Sequence, residues 1–582
     1  MEFIAHNLAP IMFAGLICFL LVGFPVAFSL GACGLFFAFI GIEMNVLPEA
    51  LLQALPLRIY GIMQNDTLLA IPFFTRMGLI LERSGMAEDL LDTIGQLFGP
   101  IRGGLALAVI FVGALLAATT GVVAASVISM GLISLPIMLR YGYDRRLAAG
   151  VIAASGTLAQ IIPPSLVLII IADQLGRSVG DMYKGAFLPG LMLTGFYASY
   201  VILLAVIKPQ WVPAMPPEAR TLREDNGKSG VPSLLVLTAI CTAASIYVAK
   251  NMPALHTWWS GEAVEKVALD ETIVVSMCFG VALAFVAASF NKITRLGLLS
   301  RAAERVTFAL IPPLLLIFLG VATPTEGGAM GALGAIIMAV IRGRLSMSLL
   351  KQALNTTTKL SCFVVFILVG ATIFGLTFQG VDGPLWVEHL LSGLPGGQLG
   401  FLIVVNIMVF FLAFFLDFFE LSFIVVPLLA PVADKLGIDL IWFGVLLAIN
   451  MQTSFMHPPF GFALFYLRSV APAKEYMDKV TKKMIAPVTT TQIYWGAIPF
   501  LCIQILMVVL VITFPGIVSS GLDKAEVYDL DKVRLEMEAN MPASMEQADP
   551  TAGMPGSEAP AAEDDPLKAM QESLSQDAEK KN

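Results

Sequence analysis

Long apolar runs, several of them longer than one membrane crossing requires, constrain the fold of this chain more than any other feature. A helix that spans a membrane needs about 20 apolar residues, and the chain contains a series of apolar blocks of about that length or longer. These blocks are residues 8–41, 60–81, 104–139, 147–172, 186–207, 233–249, 272–290, 306–341, 360–378, 399–433, 440–467 and 485–517. A transmembrane β-barrel would instead show short segments that alternate in polarity. The runs therefore predict an all-α polytopic membrane protein.

Composition excludes the soluble alternatives. Hydrophobic residues make up 57% of the 582 residues and charged residues 13%, which is about half the charged share of a typical soluble domain. A soluble protein of this size needs more polar surface to cover itself, so an ordinary soluble enzyme and a disordered scaffold are both excluded. The six cysteines form no CxxC pair, and they indicate neither a zinc site nor a disulfide framework.

Four blocks are interrupted at positions where one helix must end and another begin. The interruptions are Gly23-Phe24-Pro25 in block 8–41, Thr119-Thr120-Gly121 in block 104–139, Thr323-Pro324-Thr325 in block 306–341 and Asp417-Phe418-Phe419-Glu420 in block 399–433. Each of these blocks is too long for one crossing. We therefore expect two helices in each.

The distribution of basic residues predicts how the blocks cross the membrane. Suppose that the N-terminus is outside and that blocks 104–139 and 399–433 enter the membrane and return to their own side. The loops assigned inside then hold 22 Lys and Arg, and the loops assigned outside hold six, as the positive-inside rule requires. This asymmetry favours two re-entrant helical hairpins, and it predicts a periplasmic N-terminus and a periplasmic C-terminal tail.

The two halves of the sequence match at an offset near 300 residues. The matching pieces are Gly23-Phe24-Pro25 with Thr323-Pro324-Thr325, Leu90-Leu91 with Leu390-Leu391, Gly142-Tyr143-Asp144 with Gly437-Ile438-Asp439, and Thr157 followed by Pro163-Pro164 with Thr453 followed by Pro458-Pro459. Because the charge pattern places the third pair on opposite sides of the membrane, the repeats are predicted to be inverted. Inverted repeats with broken helices indicate a secondary transporter whose site lies between the repeats.

These patterns define a domain layout. We predict a first repeat at 1–207 with hairpin 104–139 and broken helix 147–172, a cytoplasmic loop and two extra spans at 208–305, a second repeat at 306–470 with hairpin 399–433 and broken helix 440–467, a loop and last span at 471–517, and an acidic disordered tail at 518–582. Residues 522–582 hold 15 acidic and six basic side chains. This excess accounts for the whole formal net charge of −8, so the acidic balance carries no information about a substrate.

The first break combines hydroxyl side chains with a Pro-Pro pair. Ser155 and Thr157 precede Pro163-Pro164, and the prolines leave carbonyls about four residues earlier without their helical partners. Together with the hydroxyls of Thr119 and Thr120, these oxygens form a set that suits Na⁺, and each hairpin tip is expected to face the break of its own repeat. The alternative is a Pro-kinked helix whose hydroxyls bond to its own carbonyls.

The second break offers Asn450, Thr453 and Ser454 as oxygen ligands, and ionisable residues lie close to it in the sequence. Asp417 and Glu420 lie in the middle of an apolar hairpin, and ionisable residues at membrane depth are functional candidates by default. Asp417 could neutralise a cation or cap the second arm of the hairpin, and capping is the favoured interpretation.

Two further ionisable residues have both a functional and a structural interpretation. Glu326, at the Thr323-Pro324-Thr325 turn, could serve only as a helix cap. His457 could carry a proton, although a single histidine beside Pro-Pro is more often structural.

Nucleotide-driven transport and catalysis find no support in the sequence. Gly227-Lys228-Ser229 resembles the end of a P-loop, but Leu222 stands where the first glycine is required. With four histidines and no pairing of a nucleophile with a base, the chain is not expected to be an enzyme. Transport would then run on an ion gradient or on the ATPase of a partner.

An ordered set of motifs resembles one family of membrane proteins. The set comprises Gly23-Phe24-Pro25-Val26-Ala27, Thr120-Gly121, Arg140-Tyr141-Gly142-Tyr143-Asp144, Gly156-Thr157 through Pro163-Pro164-Ser165, Ala322-Thr323-Pro324-Thr325-Glu326, Phe415-Leu416-Asp417, Leu436-Gly437-Ile438-Asp439, and Asn450 through Pro458-Pro459. Across residues 10–515 the chain resembles the DctM-like large permease of TRAP (tripartite ATP-independent periplasmic) transporters. Val122-Val123, Ala159-Gln160, the long loop at 208–232, the extra spans and the tail depart from the usual pattern, and the last three resemble the subgroup labelled mannitol/chloroaromatic.

The resemblance implies a function, a mechanism and partners. It implies an elevator-type importer of organic acids in the bacterial inner membrane, with Na⁺ as coupling ion, no nucleotide and no nucleic acid. It also implies a small four-helix membrane subunit and a periplasmic substrate-binding protein as partners.

Sites follow from the tips and breaks. The Na⁺ candidates are Thr119, Thr120, Gly121, Ser155, Gly156, Thr157, Asp417, Asn450, Thr453 and Ser454, and the substrate candidates are Gln160, Pro163, Ser165, Phe418, Glu420 and Pro458. A stand-alone Na⁺-coupled carboxylate or Na⁺/H⁺ carrier of the same broad superfamily remains an alternative. Alternatives from other classes are an intramembrane enzyme, which lacks a catalytic constellation, and a membrane scaffold that does not transport.

Overall fold

The computed structural model describes residues 7–519 apart from 121–122, 221–223, 225–229, 262–266, 268, 323, 415 and 479. The first part of the chain contains α1 (Leu8–Val22), α2 (Val26–Glu43), α3 (Leu55–Met63), α4 (Ala70–Arg83), α5 (Met86–Phe98), α6 (Gly104–Thr120), α7 (Val123–Arg140), α8 (Arg145–Thr157), α9 (Leu166–Gln174) and α10 (Val179–Ile207). Short 3-10 turns lie at Glu49–Ala54, Asp66–Leu69, Leu158–Gln160, Pro209–Trp211 and Pro217–Ala219. Helices α11 (Val231–Lys250), α12 (Met252–Ser260) and α13 (Leu269–Thr294) follow.

The remaining described chain repeats the order of the first part. It contains α14 (Arg301–Ala322), α15 (Pro324–Ile341), α16 (Met347–Gly380), α17 (Gly383–Ser392), α18 (Gly397–Leu412), α19 (Phe418–Lys435), α20 (Leu440–Phe455), α21 (Phe462–Val470), α22 (Thr490–Thr513) and α23 (Gly516–Ser519). Between α21 and α22, strands β1 (Tyr476–Met477) and β2 (Met484–Ile485) pair antiparallel. The prediction of an all-α fold is confirmed apart from this short ladder.

Seven helices in the described ranges are long and apolar enough to cross a membrane, or eight if the bent pair α17–α18 counts as one span. The hairpins and broken helices lie where the apolar blocks predict them. We call α6–α7 the first hairpin, α8–α9 the first broken helix, α18–α19 the second hairpin and α20–α21 the second broken helix.

The repeated Gly-x-Asp motif builds the same corner twice. Gly142 and Gly437 have φ values of +81° and +71°, a left-handed conformation that glycine adopts without steric cost. Two residues later, Asp144 and Asp439 accept hydrogen bonds from backbone N–H groups in the first turns of α8 and α20. A left-handed glycine therefore ends each hairpin, and an aspartate cap begins each broken helix.

Contacts between the two repeats come in corresponding pairs: where a helix of the first repeat packs against a helix of the second, their counterparts in the opposite repeats also pack together. Helix α2 packs against α16, and the corresponding pair α15 and α4 packs in the same way. Likewise α7 contacts α21 while α19 contacts α9, and α5 contacts α14 while α17 contacts α1. Such exchanged pairs are the pattern that an approximate two-fold axis between two repeats produces.

Several boundaries differ from those expected. Block 60–81 is not one helix but parts of α3, a 3-10 turn and α4, because Gln64 and Asn65 end α3 and the Asn65 side chain caps the turn. The boundary at 305/306 falls inside α14, since the apolar pattern alone does not reveal the polar first turn of this helix.

Amphipathic helical segments also lie outside the predicted apolar blocks. Helices α5 and α12 and the first 13 residues of α16 lie between or beyond the blocks, because they carry charged or polar residues beside their apolar ones. Residues 518 and 519, which the prediction places in the tail, belong to α23, and Val518 is 1% exposed there. The rest of the predicted tail, from 520 onward, lies outside the described residues.

Glycines allow the broken helices to approach their neighbours. A Cβ on Gly150 of α8 would lie 2.0 Å from the carbonyl oxygen of Gly496 in α22, and one on Gly496 would lie 1.9 Å from that of Arg146. The backbones of α8 and α22 therefore meet directly. All residues from Leu147 to Thr157 are buried, so the first break lies in the interior of the protein.

Candidate functional site

The first break is a short irregular segment between two helices. Helix α8 ends at Thr157, a 3-10 turn covers Leu158–Gln160, and α9 begins at Leu166. Ser165 caps α9 and donates its hydroxyl to the Gln160 carbonyl at 2.7 Å. This carbonyl, which the proline pair was expected to leave without a helical partner, is therefore satisfied by a side chain.

The arms of the first hairpin lie directly against this break. A Cβ on Gly156 would meet Val127 of α7 at 2.3 Å, and a Cβ on Gly113 of α6 would meet Ser155 at 2.5 Å. Of the predicted tip ligands, Thr119 and Thr120 are the last residues of α6, and Gly121 lies outside the described residues. The arms of the hairpin thus pack on the break of its own repeat, and the expected position of the tip against the break stays a prediction.

Thr157 is the centre of a buried polar network. Its Oγ1 donates to the Ala154 carbonyl at 2.8 Å and accepts from Gln452 Nε2 at 3.1 Å and Gln504 Nε2 at 3.3 Å. Gln504 Nε2 also donates to the Tyr197 hydroxyl at 2.8 Å. Because a hydroxyl has one donor and two acceptor positions, the Thr157 hydroxyl is saturated in this conformation.

Unsatisfied polar atoms accompany this network. The amide oxygens of Gln452 and Gln504, both amide atoms of Gln160 and the hydroxyl of Ser155 are buried, and within the described chain they have no hydrogen-bond partner. Each of these four side chains is 0% exposed. Since unsatisfied buried polar groups cost free energy, this region has oxygens that a bound cation would satisfy.

Oxygen atoms at the second break follow a similar pattern. Thr453 and Ser454 donate to the carbonyls of Asn450 and Met451, both at 2.6 Å. Asn450 Nδ2 donates to the carbonyl of Asn406 in α18 at 2.7 Å. Thr157, Thr453 and Ser454 therefore all bond to carbonyls three residues earlier, as in the alternative interpretation of a kinked helix. The Thr157 hydroxyl in addition accepts from Gln452 and Gln504.

Asp417 and Glu420 form a capping box at the start of α19. Asp417 Oδ1 accepts from the Phe418 N–H at 2.7 Å, and Glu420 Oε2 accepts from the Asp417 N–H at 2.9 Å. The capping interpretation of Asp417 therefore describes this geometry. Both carboxyl groups are fixed at the tip of the second hairpin, and Glu420 is 7% exposed.

Aromatic rings join the tip of the second hairpin to the second break. The Phe414 ring stacks on His457 with centroids 4.3 Å apart and on Phe460 at 5.4 Å. Phe418 lies 6.4 Å from Phe455. His457 is therefore held between rings beside the partly exposed Pro458, and its Nδ1 has no partner among the described residues.

The candidates form two groups, one at each break. Pro163 and Ser165 lie in the first group with Gln160, and Phe418, Glu420 and Pro458 lie in the second. Glu326 lies instead in the first turn of α15, which packs against α4 and α14. The bond from Gln452 to Thr157 joins the two groups directly.

Sequence reasoning missed the residues that make this connection. Gln452 and Gln504 lie 295 and 347 residues from Thr157, so no spacing rule relates them. The available signal was their polarity inside apolar blocks 440–467 and 485–517, because polar residues at membrane depth usually find polar partners. Tyr197 and Asn406 could have been selected in the same way.

Comparisons with known proteins agree with this architecture. Residues 13–517 match the family described as "Tripartite ATP-independent periplasmic transporter, DctM component". The C4-dicarboxylate TRAP transporter large permease protein DctM of Rhodobacter capsulatus is 26% identical over 78% of this chain and 89% of its own length.

Two other relatives are longer than this chain. The isethionate TRAP transporter permease protein DctMQ of Oleidesulfovibrio alaskensis is 25% identical over 82% of this chain and 63% of its own length. The sialic acid TRAP transporter permease protein SiaT of Haemophilus influenzae is 23% identical over 86% and 65%, respectively. Because the family match covers most of the chain and the relatives are transporter permeases, the chain belongs to the DctM family, the large permease component of TRAP transporters.

Proposed function

We propose that this chain is the large membrane subunit of a Na⁺-coupled TRAP transporter that imports an organic acid across the bacterial inner membrane by an elevator-type movement. The observation that carries the proposal is the exchanged packing of two units, each built from a hairpin and a broken helix. This arrangement places two breaks with polar linings in one buried region. Broken helices in such repeats expose backbone ends that bind ions and anions.

Oxygen atoms at the breaks support Na⁺ as the coupling ion. The candidate ligands are hydroxyls, amides and backbone carbonyls, with the Asp417 carboxyl at one tip. No His/Cys/Asp/Glu cluster suited to a transition metal occurs among the described residues. Because the Thr157 hydroxyl is saturated by Gln452 and Gln504, an ion that binds Thr157 must displace one of these amides. An ion that displaces the Gln452 amide would break a contact made by the second broken helix, so that Na⁺ binding at the first break would affect the second.

Organic acids are supported as substrates by the names of the relatives. C4-dicarboxylates, isethionate and sialic acid all carry an acidic group. In this chain, residues 103–139, 147–176, 397–434 and 436–467 contain no Lys or Arg. An anion between the breaks would therefore depend on polar side chains and on helix N-termini such as that of α9, which begins after Ser165.

Two packing groups support the elevator mechanism. The hairpins and broken helices pack mainly on one another, while α2, α4, α15 and α16 form a second set through the α2–α16 and α4–α15 pairs. We assign the first group to a moving transport domain and the second to a scaffold. In this proposal a small four-helix membrane subunit and a periplasmic substrate-binding protein complete the transporter, and the word tripartite in the family description supports the presence of two further components.

The test is reconstituted uptake. The chain, its small subunit and its binding protein are placed in lipid vesicles, and uptake of succinate, isethionate and N-acetylneuraminate is measured with an inward Na⁺ or K⁺ gradient. We expect one or more of these acids to accumulate with Na⁺ only. Thr157→Ala and Thr453→Ala should each raise the half-saturating Na⁺ concentration about tenfold, about 1.4 kcal/mol. Unchanged Na⁺ dependence in both variants would show that the ion sites are assigned wrongly.

Other outcomes favour the alternatives. Uptake by this chain without a binding protein would indicate a stand-alone carrier. No uptake by the assembled complex of any acid that its binding protein binds would favour a scaffold that does not transport.

A further inference from the structure

The corresponding threonines of the two repeats have different surroundings. Thr157 in the first break matches Thr453 in the second, and both side chains are 0% exposed. Each hydroxyl donates to a carbonyl three residues earlier, at 2.8 Å from Thr157 to Ala154 and at 2.6 Å from Thr453 to Asn450. The difference between the two hydroxyls lies in the donors that reach their lone pairs.

Two amides occupy the lone pairs of Thr157. They come from Gln452 at 3.1 Å and from Gln504 at 3.3 Å. Of the described residues none donates to Thr453 Oγ1, which lies 3.4 Å from the side-chain oxygen of Asn450. A cation binds to the lone pairs of its oxygen ligands. An ion can therefore bind Thr453 without breaking a hydrogen bond, whereas at Thr157 it must first displace an amide.

Gln452 is the amide that can leave Thr157 at the lower cost. Gln504 Nε2 is held twice, by the Thr157 oxygen and by the Tyr197 hydroxyl at 2.8 Å. Gln452 Nε2 has one partner within the described part of the chain, the Thr157 oxygen. Withdrawal of the Gln504 side chain would break two hydrogen bonds, and withdrawal of Gln452 breaks one. Because each broken bond adds to the cost of withdrawal, an ion that reaches Thr157 displaces Gln452.

Gln452 belongs to the second break, although its amide reaches the first. It lies between Asn450 and Thr453 near the end of α20. Asn450 is 3% exposed and Thr453 is 0% exposed, so their side-chain oxygens lie in the interior beside each other. If these oxygens gather around one ion, the backbone between them moves, and the Gln452 amide moves with it. Occupation of the second break is thus a means of releasing the Thr157 hydroxyl.

We propose that Na⁺ binds in a fixed order, first at Thr453 in the second break and then at Thr157 in the first, and that Gln452 is the positioning residue that imposes this order. The inference rests on the proposed function for the identity of the ion. Until the second break holds its ion, the Gln452 amide occupies a lone pair of Thr157, and the first break binds Na⁺ weakly. By linkage, an ion at the first break raises the affinity of the second by the same factor.

Thermal stability counts the bound ions without measuring transport. The full chain is purified with its small subunit, and its melting temperature is measured in NaCl and in choline chloride at equal concentrations. Well above Kd, the Na⁺-specific stabilisation rises with the logarithm of the ion concentration, and its slope is proportional to the number of ions bound. For Thr157→Ala we expect about half the wild-type slope, because the second break still binds its ion. For Thr453→Ala we expect a slope near zero, because neither break then binds.

Removal of the amide tests the role of Gln452. Methionine has a similar length but donates no hydrogen bond, so adding Gln452→Met to Thr453→Ala should restore about half the wild-type slope. Gln398→Met is the matched control, because Gln398 donates its amide to the Leu436 carbonyl at 2.7 Å. In the Thr453→Ala background this control should restore nothing. A purely structural defect in Thr453→Ala would not be repaired by the loss of a further buried hydrogen bond.

The outcomes separate the order of binding from the proposed function. If Na⁺ stabilises the wild-type complex no more than choline does, the proposed Na⁺ coupling fails. If Na⁺ stabilises wild type but Thr157→Ala and Thr453→Ala have equal slopes, or the double variant stays at zero, only the order fails. If Thr453→Ala does not fold, Gln452→Met alone decides the question. It should reach the full slope at a Na⁺ concentration about threefold or more below that of wild type, and equal concentrations would overturn the proposal.

Discussion

Thr157 is a residue of the first repeat whose side chain also contacts the second repeat. Its hydroxyl belongs to the first break, while the amide that reaches it from Gln452 belongs to the second broken helix. A second amide, from Gln504, comes from the last long helix. Any ligand that takes a lone pair of this oxygen must release one of these contacts. A ligand that released the Gln452 contact would change a bond made by the second broken helix, and its binding at the first break would then be linked to the geometry of the second.

Replacing Thr157 with Val should destabilise the protein. Valine keeps the shape of threonine but leaves the Gln452 amide N–H without its acceptor, and a buried unpaired group costs about 1–3 kcal/mol. Thr157→Ser keeps the oxygen and should cost less. The free energy of unfolding in detergent, measured by chemical denaturation, distinguishes the two variants. Equal stability of Thr157→Val and wild type would mean that the network contributes nothing.

Asp417 allows its two roles to be separated. Asparagine caps helices about as well as aspartate, whereas alanine loses about 1 kcal/mol of cap energy. Because the observed contacts are those of a capping box, we expect Asp417→Asn to keep uptake and Na⁺ affinity within about twofold of wild type, while Asp417→Ala lowers stability. A loss of Na⁺ affinity of tenfold or more in Asp417→Asn would instead assign the negative charge to the ion site.

At the level of helices, local signals explain most of what the sequence could predict. The positions of both hairpins and both breaks follow from the lengths of apolar runs, from Pro-Pro pairs and from the Gly-x-Asp corners. Amphipathic helices such as α5 were not predicted, because their apolar residues are spread over a helical period rather than along a run. The hydrogen bond from Gln504 to Thr157 depends on tertiary packing between residues 347 positions apart. Local sequence patterns contain no information about such distant pairs.

The crossing of α8 and α22 makes a sharp prediction about packing. A methyl group on Gly150 would lie 2.0 Å from a backbone oxygen of Gly496, and neither backbone can move without disturbing the first break. We expect Gly150→Ala to lower the free energy of unfolding by about 1–3 kcal/mol or more, with a loss of uptake.

Gly195→Ala provides the matched control. Gly195 also lies inside a long helix, α10, but a Cβ there would meet nothing within 4 Å. Alanine is the better helix former by about 1 kcal/mol, so this variant should be as stable as wild type or slightly more stable. If both glycine variants behave alike in denaturation and uptake, the close approach of α8 and α22 is not required.

At the scale of the whole molecule, an ion pair connects the base of the first hairpin to the loop after the second broken helix. Arg140, at the end of α7, contacts Asp478 at 3.0 Å. Burial raises the pKa of Asp478, but hydrogen bonds from the Thr481 backbone and hydroxyl and from Arg140 outweigh burial and hold the pKa at about 2. The Asp478 side chain is 3% exposed, so water screens the pair weakly.

This ion pair should contribute stability that depends on pH. The folded pKa lies below the ordinary value of 3.8, so the contribution, about 2 kcal/mol, is fully present above about pH 4 and is lost as pH falls toward 2. Asp478→Asn should be less stable than wild type at pH 7, and the difference should shrink below pH 4. A difference that stays constant from pH 7 to pH 3 in denaturation experiments would contradict this assignment.

The inverted arrangement predicts that the two ends of the second broken helix lie on opposite sides of the membrane. This prediction rests on the distribution of basic residues alone. Lys435 ends the second hairpin and Lys483 lies in the loop after the second broken helix, so one crossing separates them. The positive-inside rule assigns Lys435 outside and Lys483 inside. A membrane-impermeant maleimide should therefore label Lys435→Cys in intact cells and label Lys483→Cys only after permeabilisation.

The unsubstituted chain measures the background from the six native cysteines, which all lie in apolar blocks. Reversed labelling would invert the topology, and labelling of both from the same side would mean that the second broken helix does not cross.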